Sequence, residues 1–221
     1  MNANLLESRA QRLSDATVIA IFRMREPEHA IEGARAVVRG GFEAVEVTMN
    51  SPGAADTLVE IAGRIDAIVG AGTVLAPEQV KEAYDAGAEY IVTPTVSHEV
   101  IEAAHGLALP VIMGASTPTE ILHARRGGAD WVKVFPAESL GGPDYIEFVL
   151  GPLDDIPLMV TGGLTPENYL GYLDAGAELV GFTGAVCSAD AAAAGRYEEI
   201  ERRAIEVVRR LDEYLTDDDE E

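Results

Sequence analysis

One phrase recurs four times along this chain: a helical stretch ends at glycine and a short apolar run follows at once. It reads Arg39-Gly40-Gly41-Phe42-Glu43-Ala44-Val45-Glu46-Val47, then Ala86-Gly87-Ala88-Glu89-Tyr90-Ile91-Val92, then Gly127-Gly128-Ala129-Asp130-Trp131-Val132-Lys133-Val134, and last Ala175-Gly176-Ala177-Glu178-Leu179-Val180-Gly181. Glycine enters the left-handed region at no steric cost, so it ends a helix and turns the chain back into a strand. A chain that repeats this joint is committed to alternating helices and parallel strands. Between the joints, the apolar pattern predicts strands near residues 17–22, 44–48, 68–71, 90–93, 110–113, 131–135, 158–161 and 179–183. Helical patterns follow each of them, over about 27–39, 54–64, 77–86, 97–105, 118–126, 144–150, 166–175 and 196–211. Pro27, Pro77, Pro118 and Pro166 stand near helix starts, where a missing N–H is harmless. Eight such units predict a closed (β/α)8 barrel, with a leading helix over residues 4–15 across its floor. An open doubly wound sheet is the alternative, but no Gly-x-Gly-x-x-Gly follows the first strand. Residues 1–212 are expected to form one barrel domain, and residues 213–221 an acidic, disordered tail.

The charge balance narrows the partners. Thirty-eight acidic residues against 16 basic ones give a net charge of -22, which argues against nucleic acid and anionic membranes. Acidic residues on almost every helical face, with arginine strongly preferred to lysine, suggest adaptation to high salt, where self-repulsion is screened. An ordinary acidic cytosolic protein is the plainer reading. Cys187 is the one cysteine, so no intrachain disulfide forms, and a reducing compartment fits. Its neighbours supply no base, so it reads as structural. The N-terminus lacks a basic stretch followed by an apolar one, and no apolar run reaches membrane-spanning length. A soluble, cytoplasmic protein is expected.

Only two lysines occur in the chain. Lys81 lies in a polar run and reads as an exposed helix residue. Lys133 sits within the apolar run Trp131-Val132-Lys133-Val134-Phe135, and burying an ammonium is costly unless it is paired or neutralised. Burial favours the free amine, the form that attacks a carbonyl to make a Schiff base. The structural alternative is a lysine that neutralises a buried carboxylate or snorkels to an edge. Alternation along strand six puts Trp131, Lys133 and Phe135 on one face, and along strand two it puts Ala44, Glu46 and Thr48 together. Both Lys133 and Glu46 are therefore expected to point into the barrel.

In such a barrel the site lies at the carboxyl ends of the strands. That rule selects Arg23, Glu46, Thr48, Asn50, Gly72, Thr73, Thr93, Pro94, Ser116, Thr117, Lys133, Phe135, Thr161, Gly162, Gly163, Thr183 and Gly184. Glu46 is the candidate proton shuttle for imine chemistry. The hydroxyls of Thr73, Thr93 and Thr161 are candidates to hold a carboxylate or carbonyl oxygen, and Arg23 to clamp a carboxylate. Thr161-Gly162-Gly163-Leu164-Thr165-Pro166 leads from strand seven into a helix and offers a phosphate cradle.

Glu46-Val47-Thr48, Gly70-Ala71-Gly72-Thr73-Val74, Lys133-Val134-Phe135-Pro136-Ala137-Glu138 and Thr161-Gly162-Gly163 stand in this order. Together they resemble the successive motifs of the 2-keto-3-deoxy-6-phosphogluconate (KDPG) aldolase family, from about residue 15 to 211. The resemblance implies a class I aldolase, a homotrimer of barrels, with Lys133 as the Schiff-base nucleophile and Glu46 as the general acid/base. It implies cleavage of a phosphorylated 2-keto-3-deoxy sugar acid to pyruvate and glyceraldehyde 3-phosphate, as in Entner–Doudoroff catabolism, with no cofactor and no metal. It also implies substrate contacts from Arg23, Thr73, Pro94, Phe135, Thr161, Gly162, Gly163, Thr183 and Gly184. The chain departs from the family at two places. Asn50 stands where many members carry a carboxylate-binding arginine; others keep a proline at the position of Pro52 and an arginine at the end of strand one, so Arg23 takes that part. Gly184 stands where many carry a phosphate-binding serine.

Other readings stay open. A 4-hydroxy-2-oxoglutarate or unphosphorylated keto-deoxy acid aldolase would use the same couple, and gluconate- and galactonate-derived substrates fit equally. A sugar-phosphate isomerase or epimerase would leave Lys133 without a covalent part; His29, His98, His105 and His123 all fall on helices or at their ends, which argues against a histidine metal site. A non-catalytic binding barrel would have to desolvate Glu46 and Lys133 for no chemical return.

Overall fold

A computed structural model describes residues 2–218 of the chain. Eight strands, β1 (Val18–Phe22), β2 (Ala44–Thr48), β3 (Ile68–Gly72), β4 (Tyr90–Thr93), β5 (Val111–Ala115), β6 (Trp131–Val134), β7 (Leu158–Thr161) and β8 (Leu179–Phe182), pair in parallel in sequence order, and β8 pairs with β1 to close a (β/α)8 barrel. Around them run α1 (Asn2–Ala16), α2 (Pro27–Arg39), α3 (Ala54–Ile61), α4 (Pro77–Asp85), α5 (His98–Gly106), α6 (Pro118–Arg126), α7 (Ala137–Leu140), α8 (Gly142–Leu150), α9 (Leu170–Asp174), α10 (Ala189–Ala193) and α11 (Tyr197–Asp218). At the four joints Gly41, Gly87, Gly128 and Gly176 have φ of 98°, 96°, 103° and 98°. A side chain there would be strained, which is why the phrase repeats with glycine.

Every strand residue is buried, and alternation sorts the two faces. The odd-phase residues of β1, Ile19 and Ile21, meet Ile68, Ile112, Trp131 and Met159 inside the barrel, whereas Val45, Val47, Val132 and Val134 face the helix layer. Helix α1 closes the floor by adding Leu13 and Ala16 to the inner cluster. Arg9 Nη1 donates to the Ala108 carbonyl at 2.9 Å, and Arg12 pairs with Glu89 at 2.6 Å.

Beyond shifts of one to three residues at element ends, such as β5 (Val111–Ala115) and α3 (Ala54–Ile61), the expected boundaries are corrected as follows. The helix expected over 166–175 is a turn followed by the five-residue α9. Its first residues are held otherwise: Asn168 Oδ1 accepts from the Thr165 N–H at 2.8 Å, and Thr165 Oγ1 accepts from the Glu167 N–H at 3.2 Å. Such side chains offer the backbone a local partner in competition with the helix. The tail expected to be disordered from residue 213 is helical through Asp218, because Leu211 still packs on the core and Arg209 pairs with Glu213 one turn on; residues 219–221 lie outside the described residues. Strand β6 ends at Val134, leaving Phe135 at the mouth. Among the described residues no helix is long and apolar enough to cross a membrane.

Candidate active site

Strand β2 carries Glu46 and β6 carries Lys133, both on the inward face. Glu46 is 1% exposed and Lys133 8%. Burial pushes the Glu46 carboxyl above its ordinary value, and the charges of Lys133 and then Arg23 pull it part of the way back. The carboxylate thus sits in a low-dielectric space where the charge of the lysine reaches it. Lys133 Nζ lies 5.8 Å from the centre of the exposed Phe135 ring. Glu46 reaches its place because β3 has no side chain at Gly72: a Cβ there would stand 1.8 Å from Glu46 Oε1.

The rim is set by the same inward phase. Arg23 is exposed at the end of β1, and its Nη2 donates to Thr73 Oγ1 at 3.4 Å. Thr73 has a φ of 55°, a left-handed conformation that threonine rarely adopts and that Thr17 and Ala108 share elsewhere in the chain. Pro94 follows β4 and lies against β5, where a Cβ on Gly114 would be 2.3 Å from its carbonyl carbon. Ser116 Oγ donates to the Phe135 carbonyl at 2.7 Å and so holds the loop after Lys133. Thr161 Oγ1 donates to the Gly181 carbonyl at 2.9 Å, leaving only its lone pairs for another group. Gly162 and Gly163, at φ of 93° and 92°, pack on the Phe135–Glu138 loop. The Gly162 carbonyl accepts the Glu138 N–H at 3.1 Å, and Tyr172 OH donates to Glu138 Oε2 at 2.7 Å. Thr183 and Gly184 are exposed, and a Cβ on Gly184 would meet nothing within 4 Å among the described residues.

Arg23, Glu46, Thr73, Pro94, Lys133, Phe135, Thr161, Gly162, Gly163, Thr183 and Gly184 therefore stand around one mouth. Thr93 does not join them. Tyr90 and Val92 take the inward phase of β4, so Thr93 turns away and exchanges hydrogen bonds with the Thr95 backbone. The helix N-terminus expected at Pro166 is absent from the cradle, since α9 starts only at Leu170. Asn50 is exposed in the turn after β2. Cys187 is buried, its thiol donating to the Phe182 carbonyl at 3.7 Å, and burial pushes that thiol well up; it is packing. Tyr90 was not among the candidates, although the alternation that placed Lys133 also turns it inward. Among the described residues no three histidine, cysteine or carboxylate side chains gather so as to hold a metal ion.

The fold and this mouth define a (β/α)8 barrel of the class that keeps a buried lysine and a buried carboxylate together at the carboxyl ends of its strands. Residues 10–203 match the family described as KDPG and KHG aldolase. The chain is 36% identical over 197 residues to the KHG/KDPG aldolase of Escherichia coli K12, covering 89% of this chain and 92% of that one. It is 40% identical over 162 residues to the 2-dehydro-3-deoxy-6-phosphogalactonate aldolase of the same organism, covering 72% and 78%. Among solved structures, the KDPG aldolase of Legionella pneumophila, with pyruvate captured at low pH as a covalent carbinolamine, superposes with a TM-score of 0.82 at 26% identity, over 90% of this chain and 97% of that one. The chain belongs to the KDPG and KHG aldolase family.

Proposed function

We propose that the protein is a class I aldolase that cleaves a phosphorylated 2-keto-3-deoxy sugar acid to pyruvate and glyceraldehyde 3-phosphate. The observation that carries this reading is the burial of Lys133 beside Glu46 in the barrel mouth. The Lys133 amine adds to the keto carbon, and the carbinolamine loses water to give an iminium, which is the electron sink. Glu46, through water, takes the proton from the C4 hydroxyl; the C3–C4 bond then breaks, releasing the aldehyde and leaving an enamine on Lys133. Glu46 returns the proton to C3, and water hydrolyses the imine to free pyruvate. Lysine supplies the sink, so no metal or cofactor takes part.

Arg23, seated on Thr73, is assigned to the substrate carboxylate, with Pro94 and Phe135 walling the pyruvate end. The phosphate is assigned to the amides of Gly162 and Gly163 with Thr183 and Gly184, and Thr161 accepts from a substrate hydroxyl. The open space over Gly184 supports this: an anion occupies the volume that a side chain would otherwise take. The carbinolamine in the Legionella relative supports the covalent route. Assembly as a homotrimer belongs to the same proposal and is supported by Phe148, whose ring is 79% exposed in the lone chain; a cytoplasmic setting belongs to it as well. The test compares kcat/KM for phosphorylated and unphosphorylated keto-deoxy acids of both C4 configurations. A clear preference for the phosphorylated acids is expected, and equal rates would remove the phosphate assignment.

A further inference from the structure

Strand β3 has glycine at two successive inward positions, Gly70 and Gly72, and a side chain from a neighbouring strand fills each gap. A Cβ on Gly72 would lie 2.4 Å from Cδ of Glu46, and one on Gly70 would lie 2.3 Å from Cζ of Tyr90. Successive inward positions on a strand are about 6.6 Å apart. The carboxyl of Glu46 and the phenol of Tyr90 are therefore stacked along one face of one strand, Tyr90 on the floor side. Both side chains are buried, and Glu46 Oε2 and the Tyr90 hydroxyl each lack a hydrogen-bond partner among the described residues, each other included. Leaving such groups unpaired in an interior is destabilising, so each calls for a partner.

We propose that Tyr90 is a positioning residue for Glu46, its hydroxyl donating to Oε2 when the carboxylate is ionised and so leaving Oε1 for the substrate. The inference rests on Glu46 being the proton shuttle of the proposed reaction. The other titratable groups facing Glu46 are Lys133 from β6, Arg23 from the end of β1 and the Cys187 thiol after β8. Tyr90 itself faces Glu46 and Glu89, and burial with both carboxylates keeps its phenol protonated, hence a donor. If Tyr90 served only to fill the floor beneath Gly70, phenylalanine would serve as well.

The test is Tyr90→Phe, which removes one oxygen and keeps the ring. Exchange of the pyruvate methyl protons with heavy water is followed against pH, and borohydride trapping of pyruvate is measured on both proteins. Losing a donor to the charged form should raise the midpoint of the acid limb by about one unit and slow exchange below it about tenfold, with trapping unchanged. A superimposable pH profile would overturn the inference. So would a variant that traps less pyruvate and melts earlier while its midpoint stays fixed, because that is the signature of packing alone. A wild-type protein that neither traps nor exchanges would overturn the functional reading itself, and this inference with it.

Discussion

Glu46 is a costly residue for the fold, and in the proposed reaction it is the proton shuttle. Burial raises its pKa from the ordinary 4.5, so the folded state holds the proton more tightly than the unfolded chain does. The penalty for ionised Glu46 is absent below about pH 4.5 and grows as pH rises toward the raised folded value. Glu46→Gln should therefore melt at a higher temperature than the wild type near pH 7 and at the same temperature near pH 4. Its exchange of pyruvate methyl protons should fall on the order of 10²–10⁴-fold, the usual share of a positioned acid/base group. Unchanged exchange would exclude Glu46 as the shuttle, and a lower melting temperature at neutral pH would contradict its desolvation. Glu46 and Lys133 were legible in the sequence because each breaks an apolar run at an inward phase. Tyr90 was not, because an aromatic residue in a strand looks like ordinary core until the empty places at Gly70 and Gly72 show what it lies beneath.

At the scale of elements, the strands and the joints were readable because period-two burial and left-handed glycines leave marks in the chain itself. The short helices α7 and α10 were not, for four or five residues carry no period. The loop after β7 was misread for a local reason: Asn168 and Thr165 capture the backbone that Pro166 would have opened into a helix. One contact between elements has a measurable pH signature. His105, in the last turn of α5, meets Asp130 Oδ2 at 2.9 Å, and the same oxygen accepts the Val111 N–H at 2.7 Å. The hydrogen bond to Asp130 raises the His105 pKa above 6.5, with burial opposing and the aspartate charge assisting. Since the folded value is the higher one, this contribution is complete below about pH 6.5 and fades as pH rises through the raised value. The difference in melting temperature between wild type and His105→Gln should be larger near pH 6 than near pH 9. A difference that is equal at both would show that the pair acts only by packing.

For the molecule as a whole, charge is the dominant unsatisfied feature. Even if each of the 16 lysines and arginines neutralised one carboxylate, 22 of the 38 acidic charges would remain uncompensated. Pairs such as Arg39–Glu201 and Lys81–Asp85 are exposed and contribute about 0–1 kcal/mol each, so weakening them with salt loses little. Shortening the screening length from about 10 Å at 0.1 M to about 3 Å at 1 M relieves far more repulsion. The unfolding midpoint should rise with potassium chloride to molar concentration, and a flat or falling midpoint would contradict adaptation to salt. The central claim concerns a single bond made by the intact protein, between Lys133 and the keto carbon of pyruvate. Mass spectrometry after incubation with pyruvate and borohydride reads it directly. One reduced pyruvate per chain, on the peptide containing Lys133 and absent from Lys133→Ala, is the predicted result; no adduct, or an adduct on Lys81, would contradict it.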